Sequence, residues 1–194
     1  TIRRKISEEA YDFIHRCCGS YEVQKADAIY RFVQEGLRMG RAVMSHLTAP
    51  YMQTLFAIER NFTNESHFFI EILRFEELEN GTLFGRINPK SEVLPYLAGH
   101  FADRFAGEQW VIADTVHRTV LLHKANYKTV YLSMDEVDMD ELALTYSEDE
   151  KQLQKLWKLF VDTIAIKERV NPKLQRQMLP LRFRKYMKEF SETE

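Results

Sequence analysis

The sequence predicts an α+β fold, in which a helical N-terminal third packs on an antiparallel sheet of about five strands and C-terminal helices follow. Three observations predict this class. Residues 1–66 place apolar side chains at alternating spacings of three and four. Residues 67–134 contain short β-rich segments separated by turn residues, with one helix inserted, and residues 147–190 return to helical spacing. We expect a single domain over residues 1–194.

Three helices are predicted in the N-terminal third. Ser7 can cap the first, with acidic residues in its first turn, and Gly19 ends it. Pro50 suits the first turn of the third helix, whose buried side chains would be Met52, Leu55, Ile58 and Phe62. The second helix begins at Ser20, and its buried face is predicted to be Val23, Ala26, Tyr30, Val33, Leu37, Gly40, Met44 and Leu47. Gly36 and Gly40 lie one turn apart on it and indicate close packing or a break.

The sheet is predicted to begin with a hairpin. Residues 68–78 and 82–87 form its strands, joined at Asn80-Gly81 by a type I′ turn. Ser91 can cap a helix running to Phe105. Residues 110–113, 119–122 and 128–132 then form three antiparallel strands.

The C-terminal part begins at a capping box, residues 147–150. The helix that follows carries the apolar stripe Leu153, Leu156, Trp157, Phe160 and Ile164. Pro172 and Pro180 divide the remainder into a short helical turn and a final basic helix. Phe183, Tyr186 and Met187 have helical spacing and are predicted to lie in the core.

Composition restricts the class of protein. Of the 194 residues, 45% are hydrophobic and 29% are charged, which excludes fibrous and mostly disordered chains. Because no apolar run has the length of a membrane span and the first residues do not read as a signal peptide, we expect a cytoplasmic protein without a membrane partner. Adjacent Cys17 and Cys18 suit neither a routine disulfide nor a zinc site, so we expect reduced thiols.

Charge is unevenly distributed along the chain. Residues 135–150 carry eight acidic side chains and no basic one, including Asp138, Asp140 and Glu141, whereas residues 165–190 carry eight basic side chains against two acidic ones. A segment with a net charge of +6 can hold several phosphates. Alternatively, the basic segment forms a solvated face that pairs with the acidic stretch.

The sequence HFADRF at residues 100–105 offers one candidate site. On a helix His100 and Arg104 share a face, and Asp103 can orient the imidazole, so the three side chains could perform acid–base catalysis or bind phosphate. Alternatively, Asp103 and Arg104 form a structural ion pair and His100 has its hydrogen bonds satisfied within the fold, because that arrangement would have the same sequence. His67, Arg74 and Arg118 could converge on this site from the sheet, and Glu65 lies near His67 in sequence.

Known enzyme signatures are absent from the sequence, including phosphate-binding glycine loops, paired-cysteine zinc motifs and the HExxH motif. Glu65 and His67, near the first predicted strand, are residues of kinds that bind metal ions, but two such residues do not make a metal site. We therefore predict no cofactor and no metal, and leave open whether the protein is an enzyme.

The basic C-terminal segment is the other candidate site. The predicted phosphate contacts are Arg169, Lys173, Arg176, Arg184 and Lys185, and Asn171 and Gln175 are the polar residues that could read bases. Aromatic residues among them suit stacking on nucleic acid, although their spacing also fits a protein core.

Seven sequence elements together resemble a bacterial domain family of unknown function, whose members are described as probable DNA metabolism or DNA repair proteins. These elements are RFEEL at 74–78 with NG at 80–81, LP at 94–95, HFADRF at 100–105, WVI at 110–112 with Asp114, LW at 156–157, IAIKER at 164–169 and NPKLQ at 171–175. The resemblance covers residues 20–189. Members usually begin with an extra N-terminal segment, so we expect part of a site to precede Thr1.

The resemblance implies a DNA repair context and a partner. Similar proteins tend to be encoded beside a radical S-adenosylmethionine protein implicated in DNA modification, and related domains are fused to uracil-DNA-glycosylase-like enzymes. The leading hypothesis is thus an accessory domain that binds DNA or this partner through the basic segment. The alternatives are an enzyme or phosphate-binding domain at His100, and a module that binds only proteins.

Overall fold

The computed structural model describes residues 1–136 and 145–190, and the chain divides into two compact units. The first unit comprises residues 1–68 and 89–93, and the second comprises residues 69–88 and 94–194. The described part contains helices, then a five-stranded and mostly antiparallel sheet, then further helices. The predicted α+β class is confirmed, whereas the single domain stays a prediction.

The described helices and strands have the following bounds. The α-helices are α1 (Ile2–Lys5), α2 (Glu8–Gly19), α3 (Lys25–Met39), α4 (Pro50–Ile72), α5 (Leu94–Arg104), α6 (Glu148–Ile164) and α7 (Pro172–Met178). The strands are β1 (Phe75–Glu77), β2 (Leu83–Ile87), β3 (Trp110–Asp114), β4 (Thr119–His123) and β5 (Val130–Ser133). Short 3₁₀ helices are Gly40–Ser45, Met134–Glu136, Lys167–Arg169, Leu181–Tyr186 and Lys188–Phe190.

The first unit has a helical core that follows the sequence prediction in two of its three main helices. Ser7 caps α2 by accepting a 3.0 Å hydrogen bond from the Ala10 amide, and α2 ends at Gly19 as predicted. On α4 all four residues of the predicted face are buried, namely Met52, Leu55, Ile58 and Phe62. Glu65, on the same helix, is buried and accepts hydrogen bonds from the Lys90 and Ser91 amides.

The second helix is present, but most of its predicted buried face was wrong, since only Val33 and Met44 of its large apolar residues pack against the core. Val23 and Tyr30 have exposed fractions of 92% and 66%, and α3 instead buries Ala28, Phe32 and Gly36. Spacings of three and four fit neighbouring faces of a helix, so the packing of the large Phe32 ring in the core selects the face. Both predictions for the glycines apply: Gly36 packs closely against Ile6, and Gly40 ends the helix with φ +62°.

Helix α4 continues through residues predicted to be the first strand. Phe69 lies seven residues after Phe62, on the same helical face, and is also buried. Burial of this face overrides the β propensity of residues 68–72. The first strand is therefore only three residues long and begins at Phe75.

The sheet has the strand order β1-β2-β3-β4-β5. The pairs β1–β2, β3–β4 and β4–β5 are antiparallel as predicted, but β2 and β3 are parallel because helix α5 returns the chain to the same end of the sheet. The predicted type I′ turn was wrong: Gly81 has φ +77°, but Asn80 does not have a positive φ.

Aromatic side chains fix α5 on the sheet. The Phe75 ring lies 5.3 Å from the rings of both Phe101 and Phe105 and 6.3 Å from that of Trp110. Three of the sequence elements that carry the resemblance therefore meet in one cluster. Ser91 is buried, yet its hydroxyl has no hydrogen-bond partner among the described residues, so the predicted cap at this position was wrong.

The C-terminal helices confirm the Ser147 cap but not the reciprocal bond of a capping box, since the Ser147 amide donates to the Glu77 carbonyl, and they leave an apolar face exposed. Ser147 accepts a 3.1 Å hydrogen bond from the Glu150 amide at the start of α6. The predicted stripe on α6 is exposed along its length, at Leu153, Leu156, Trp157, Phe160 and Ile164. Phe183 and Met187 are buried and Tyr186 is half-buried, but they lie on short 3₁₀ turns instead of one final helix.

Candidate functional site

Four cations of the basic segment stand on its surface. Arg169, Lys173, Arg176 and Lys185 are exposed, and no ion pair joins any of them to a carboxylate in the described ranges 1–136 and 145–190. Lys173 and Arg176 lie three residues apart on α7 and therefore on neighbouring positions of one face. The charged groups of these four residues are therefore open to solvent.

The other predicted contacts in this segment bind within it. Arg184 Nε donates a 3.1 Å hydrogen bond to the Leu179 carbonyl, and its guanidinium lies 4.4 Å from the centre of the Phe190 ring. Arg184 Nη1 also lies 3.4 Å from Gln175 Oε1. Asn171 Oδ1 accepts from the Leu174 amide and caps α7. The side-chain oxygens of Asn171 and Gln175 thus already accept hydrogen bonds, which leaves their amide nitrogens for an external ligand.

Three described members of the acidic stretch have partners outside the basic segment. Asp135 pairs with Arg118 at 2.6 Å, and Glu148 pairs with Lys151. Glu150 accepts from Gln154 at 2.7 Å. Asp138, Asp140 and Glu141 lie outside the described residues.

A buried carboxylate holds the end of the basic segment. Glu76 on β1 forms ion pairs with Lys188 and, at 3.3 Å, with Arg86 on β2. Gln154 of α6 lies 3.4 Å from the same carboxylate. Sequence reasoning did not identify Glu76 as a site residue, although it lies inside the RFEEL element. Because two cations compensate one carboxylate, we interpret this cluster as an anchor and not as a reactive site.

The hydroxyl of Tyr146 belongs to the same cluster. It accepts a 2.8 Å hydrogen bond from Arg86. Burial, followed by hydrogen bonding to Glu76, raises the pKa of Tyr146 from 10.0 to about 12. The phenol therefore stays protonated to higher pH than an ordinary tyrosine and keeps its place as a structural hydrogen-bonding group.

A cavity of about 370 Å³ lies beside this cluster. Its wall combines the exposed Trp157 and Leu153 of α6 with the charged pair Arg74 and Glu189, whose side chains are 3.5 Å apart. The cavity therefore joins the apolar face of α6 to an ion pair, and its lining carries two cations and three carboxylates.

His100, Asp103 and Arg104 lie together on α5, and all three are exposed. Within the described residues no hydrogen bond joins His100 to Asp103; the His100 ring instead contacts Phe101 edge-on at 5.0 Å. The Arg104 guanidinium lies 5.5 Å from the centre of the Phe105 ring. The two phenylalanines of HFADRF thus pack against the sheet, whereas its histidine, aspartate and arginine face solvent.

The residues expected to converge on that histidine have other surroundings. His67 lies on α4, where it is exposed while Glu65, two residues earlier, is buried, as helical geometry requires. Arg74 pairs with Glu189 and Arg118 with Asp135. Arg74 and Arg118 therefore do not share a partner.

A histidine held by an aspartate occurs elsewhere, at the end of β3. The fully buried Asp114 accepts from the Val116 and His117 amides and lies 2.7 Å from His117 Nδ1. This contact places the proton on Nδ1 in the neutral ring and leaves Nε2 available. Sequence reasoning missed the pair, although an aspartate at a strand end followed by a polar turn is a signal for it.

Comparison with known proteins identifies one family. A family model described as Domain of unknown function (DUF4130) matches residues 23–189. No curated protein and no solved structure matches the chain significantly. Among the described residues, no helix has the length and apolar character to cross a membrane, and no group of three histidine, cysteine or acidic residues could hold a metal ion.

Proposed function

We propose, given that this chain belongs to the DUF4130 family of domains of unknown function, that it is an accessory domain of DNA repair or DNA metabolism and binds nucleic acid through its basic C-terminal segment. The phosphate contacts in this proposal are Arg169, Lys173, Arg176 and Lys185. The DNA context comes from the sequence resemblance, and the contacts come from the surface of the segment.

One observation carries the proposal: these four cations are exposed and have no ion pair with a described carboxylate. A cation already paired with a carboxylate must lose that partner before it binds phosphate, whereas an unpaired cation binds and releases condensed counterions directly. Two described acids of residues 135–150, Asp135 and Glu148, pair with cations outside the basic segment. This supports external binding over internal neutralisation.

The structure changes which residues we include. Arg184 is held by Leu179 and stacks on Phe190, so we assign it to the internal structure of the segment. Lys188 pairs with Glu76 and fixes the segment on the sheet. We keep Asn171 and Gln175 as secondary contacts through their amide nitrogens.

The test compares two triple variants that remove the same charge. Arg169→Ala/Lys173→Ala/Arg176→Ala alters the proposed surface. Arg4→Ala/Lys5→Ala/Arg60→Ala removes three exposed cations from the helical unit and is the matched control. Binding of a fluorescent DNA duplex is followed by anisotropy at low salt. We expect the first variant to bind about tenfold to a hundredfold more weakly than the unmodified chain and the control to bind as that chain does.

Equal affinities of the two triple variants would contradict the assignment of the segment. Circular dichroism of both variants shows whether folding is preserved, so that a loss of binding can be attributed to charge.

A second candidate function is favoured by the exposed apolar face of α6. Leu156 and Trp157 have exposed fractions of 60% and 43%, and contiguous apolar surface of this kind is typical of protein interfaces. In this alternative the chain binds the radical S-adenosylmethionine protein that the resemblance implies and does not bind DNA. Absence of DNA binding at low salt, together with co-purification of that protein that Leu156→Glu abolishes, would favour it.

A further inference from the structure

A second cavity lies at the end of the sheet where β2 and β3 begin and β4 ends. Its volume is about 650 Å³, within the range of about 300 to 1,000 Å³ that is typical of ligand sites. Trp110 and His123 are register partners on β3 and β4, and their rings stack with centres 4.9 Å apart and planes 16° from parallel. Both residues line the cavity.

Two ring nitrogens at this wall have no hydrogen-bond partner among the described residues. Trp110 Nε1 and His123 Nε2 are buried, and neither forms a hydrogen bond within the described part of the chain. His123 is held from its other side, since its Nδ1 lies 3.3 Å from Thr129 Oγ1. A buried polar group without a partner is costly, and nearly all such groups in folded proteins are satisfied by protein, water or ligand. The wall therefore contains two ring nitrogens that could form hydrogen bonds with a ligand.

The rim of the cavity is cationic. Lys124 and Lys128 are exposed at its edge, and the lining found among the described residues includes no carboxylate. Lys124 Nζ lies 5.6 Å from the centre of the Tyr127 ring, which is itself 67% exposed. These charges attract an anionic group to the rim.

The rest of the lining is largely apolar. Val111, Leu122 and Val130 also line the cavity. Val111 and Leu122 are register partners on the opposite face of the sheet from Trp110 and His123, so the cavity lies around the end of the sheet. A planar ring system at this end of the sheet could pack a face against Tyr127 and place its polar edge beside the ring nitrogens of Trp110 and His123. The ligand chemistry that fits both wall and rim is a flat, polar-edged ring attached to a phosphate.

We propose that this cavity binds a nucleotide, with its base against the Trp110–His123 wall and its phosphate at Lys124 and Lys128. The site uses other residues than the basic segment, so it does not depend on the function proposed above. The nucleotide could be free in solution or the end of a nucleic-acid strand, and the chemistry of recognition is the same.

Tryptophan fluorescence tests the proposal directly. The chain has two tryptophans, so Trp157→Phe leaves Trp110 as the sole fluorophore. The full chain with this change is titrated with AMP, adenosine and inorganic phosphate. We expect AMP to change the emission saturably, adenosine to bind about tenfold more weakly, and phosphate alone to leave the emission unchanged.

Variants of the rim and wall locate the site. Lys124→Ala/Lys128→Ala should weaken AMP binding about tenfold, whereas the control Lys5→Ala/Lys155→Ala, which removes two exposed lysines elsewhere, should leave it unchanged. His123→Phe keeps the stack on Trp110 but removes the unpartnered nitrogen. It should weaken AMP binding without lowering the urea midpoint.

The proposal is overturned if AMP leaves the emission unchanged at millimolar concentration, if adenosine binds as tightly as AMP, or if the rim variant binds as the control does. Competition by a 5′-phosphorylated single strand would identify the end of a strand as the natural ligand, and its failure to compete would identify a free nucleotide; either result supports a nucleotide site. A failure of DNA binding by the basic segment leaves these outcomes unaffected.

Discussion

Arg184 Nε donates a hydrogen bond of 3.1 Å to the backbone carbonyl of Leu179, which closes the turn between α7 and the last 3₁₀ helices. This contact distinguishes two kinds of cation in the basic segment: those that bind within the protein and those that are exposed. Arg184 serves the structure of the segment, whereas Arg169, Lys173 and Arg176 remain exposed.

Arg184→Ala should therefore lower stability and leave the salt dependence of DNA binding unchanged. Loss of the hydrogen bond and of the contact with Phe190 should cost about 1 to 3 kcal/mol of unfolding free energy. Urea denaturation measures this. The control is Lys185→Ala, an exposed neighbour expected to change stability by less than about 0.5 kcal/mol. Equal costs for the two variants would contradict the distinction.

Glu76→Gln should be among the most destabilising changes in the second unit. It leaves the cations of Arg86 and Lys188 without their carboxylate, and breaking a buried ion pair on one side typically costs about 3 kcal/mol or more. Glu77→Gln, the same change on the exposed neighbour, is the matched control. A loss of stability as small as that of Glu77→Gln would show that the cluster does not anchor the C-terminal segment.

Stability should fall in strong alkali because of Tyr146. Its pKa is raised from 10.0 to about 12 in the folded state, so the unfolded chain loses this proton first as the pH rises from 10 to 12. Ionisation then favours the unfolded state, and the contribution of Tyr146 is complete below pH 10. Urea midpoints of the native chain and of Tyr146→Phe should converge over this interval. Parallel pH profiles would contradict the raised pKa.

The two adjacent cysteines should differ in reactivity. Burial, with a smaller contribution from Glu59, raises the pKa of the Cys17 thiol to about 12, whereas Cys18 is exposed. Ellman's reagent should thus modify one thiol in the native chain and the second only in urea. Cys18→Ser should remove the reaction of the native chain with this reagent. Rapid modification of both thiols in the folded protein would refute the burial of Cys17.

Local signals in the sequence were sufficient where one interaction determines the structure. Ser147 followed by Glu150 predicted the start of α6, because a capping side chain acts on the next turn and needs no distant partner. The three strands after Trp110 were predicted for a similar reason, since polar turns bound each of them. The parallel pairing of β2 with β3 was missed, although a strand, a helix and a strand in that order is the pattern of a crossover.

Tertiary packing decided the features that sequence reasoning predicted wrongly. Phe69 continues a buried helical face that extends beyond the β-rich composition of its neighbours. The buried face of α3 depends on where Phe32 packs and not on spacing alone. At the candidate sites, sequence could find the cations of the basic segment but not their internal partners. Glu76 pairs with Lys188, which is distant in the chain, and Arg184 binds the Leu179 carbonyl, which it meets only after a turn.

The salt dependence of DNA affinity distinguishes binding through the basic segment from binding elsewhere on the chain. Each phosphate contact contributes about 0.7 to 0.9 to the slope of log affinity against log salt concentration. We expect Arg169→Ala/Lys173→Ala/Arg176→Ala to make this slope shallower by about 2 to 3, and Arg4→Ala/Lys5→Ala/Arg60→Ala to retain the slope of the unmodified chain. A slope that the first triple change leaves as steep as before would contradict binding through the basic segment.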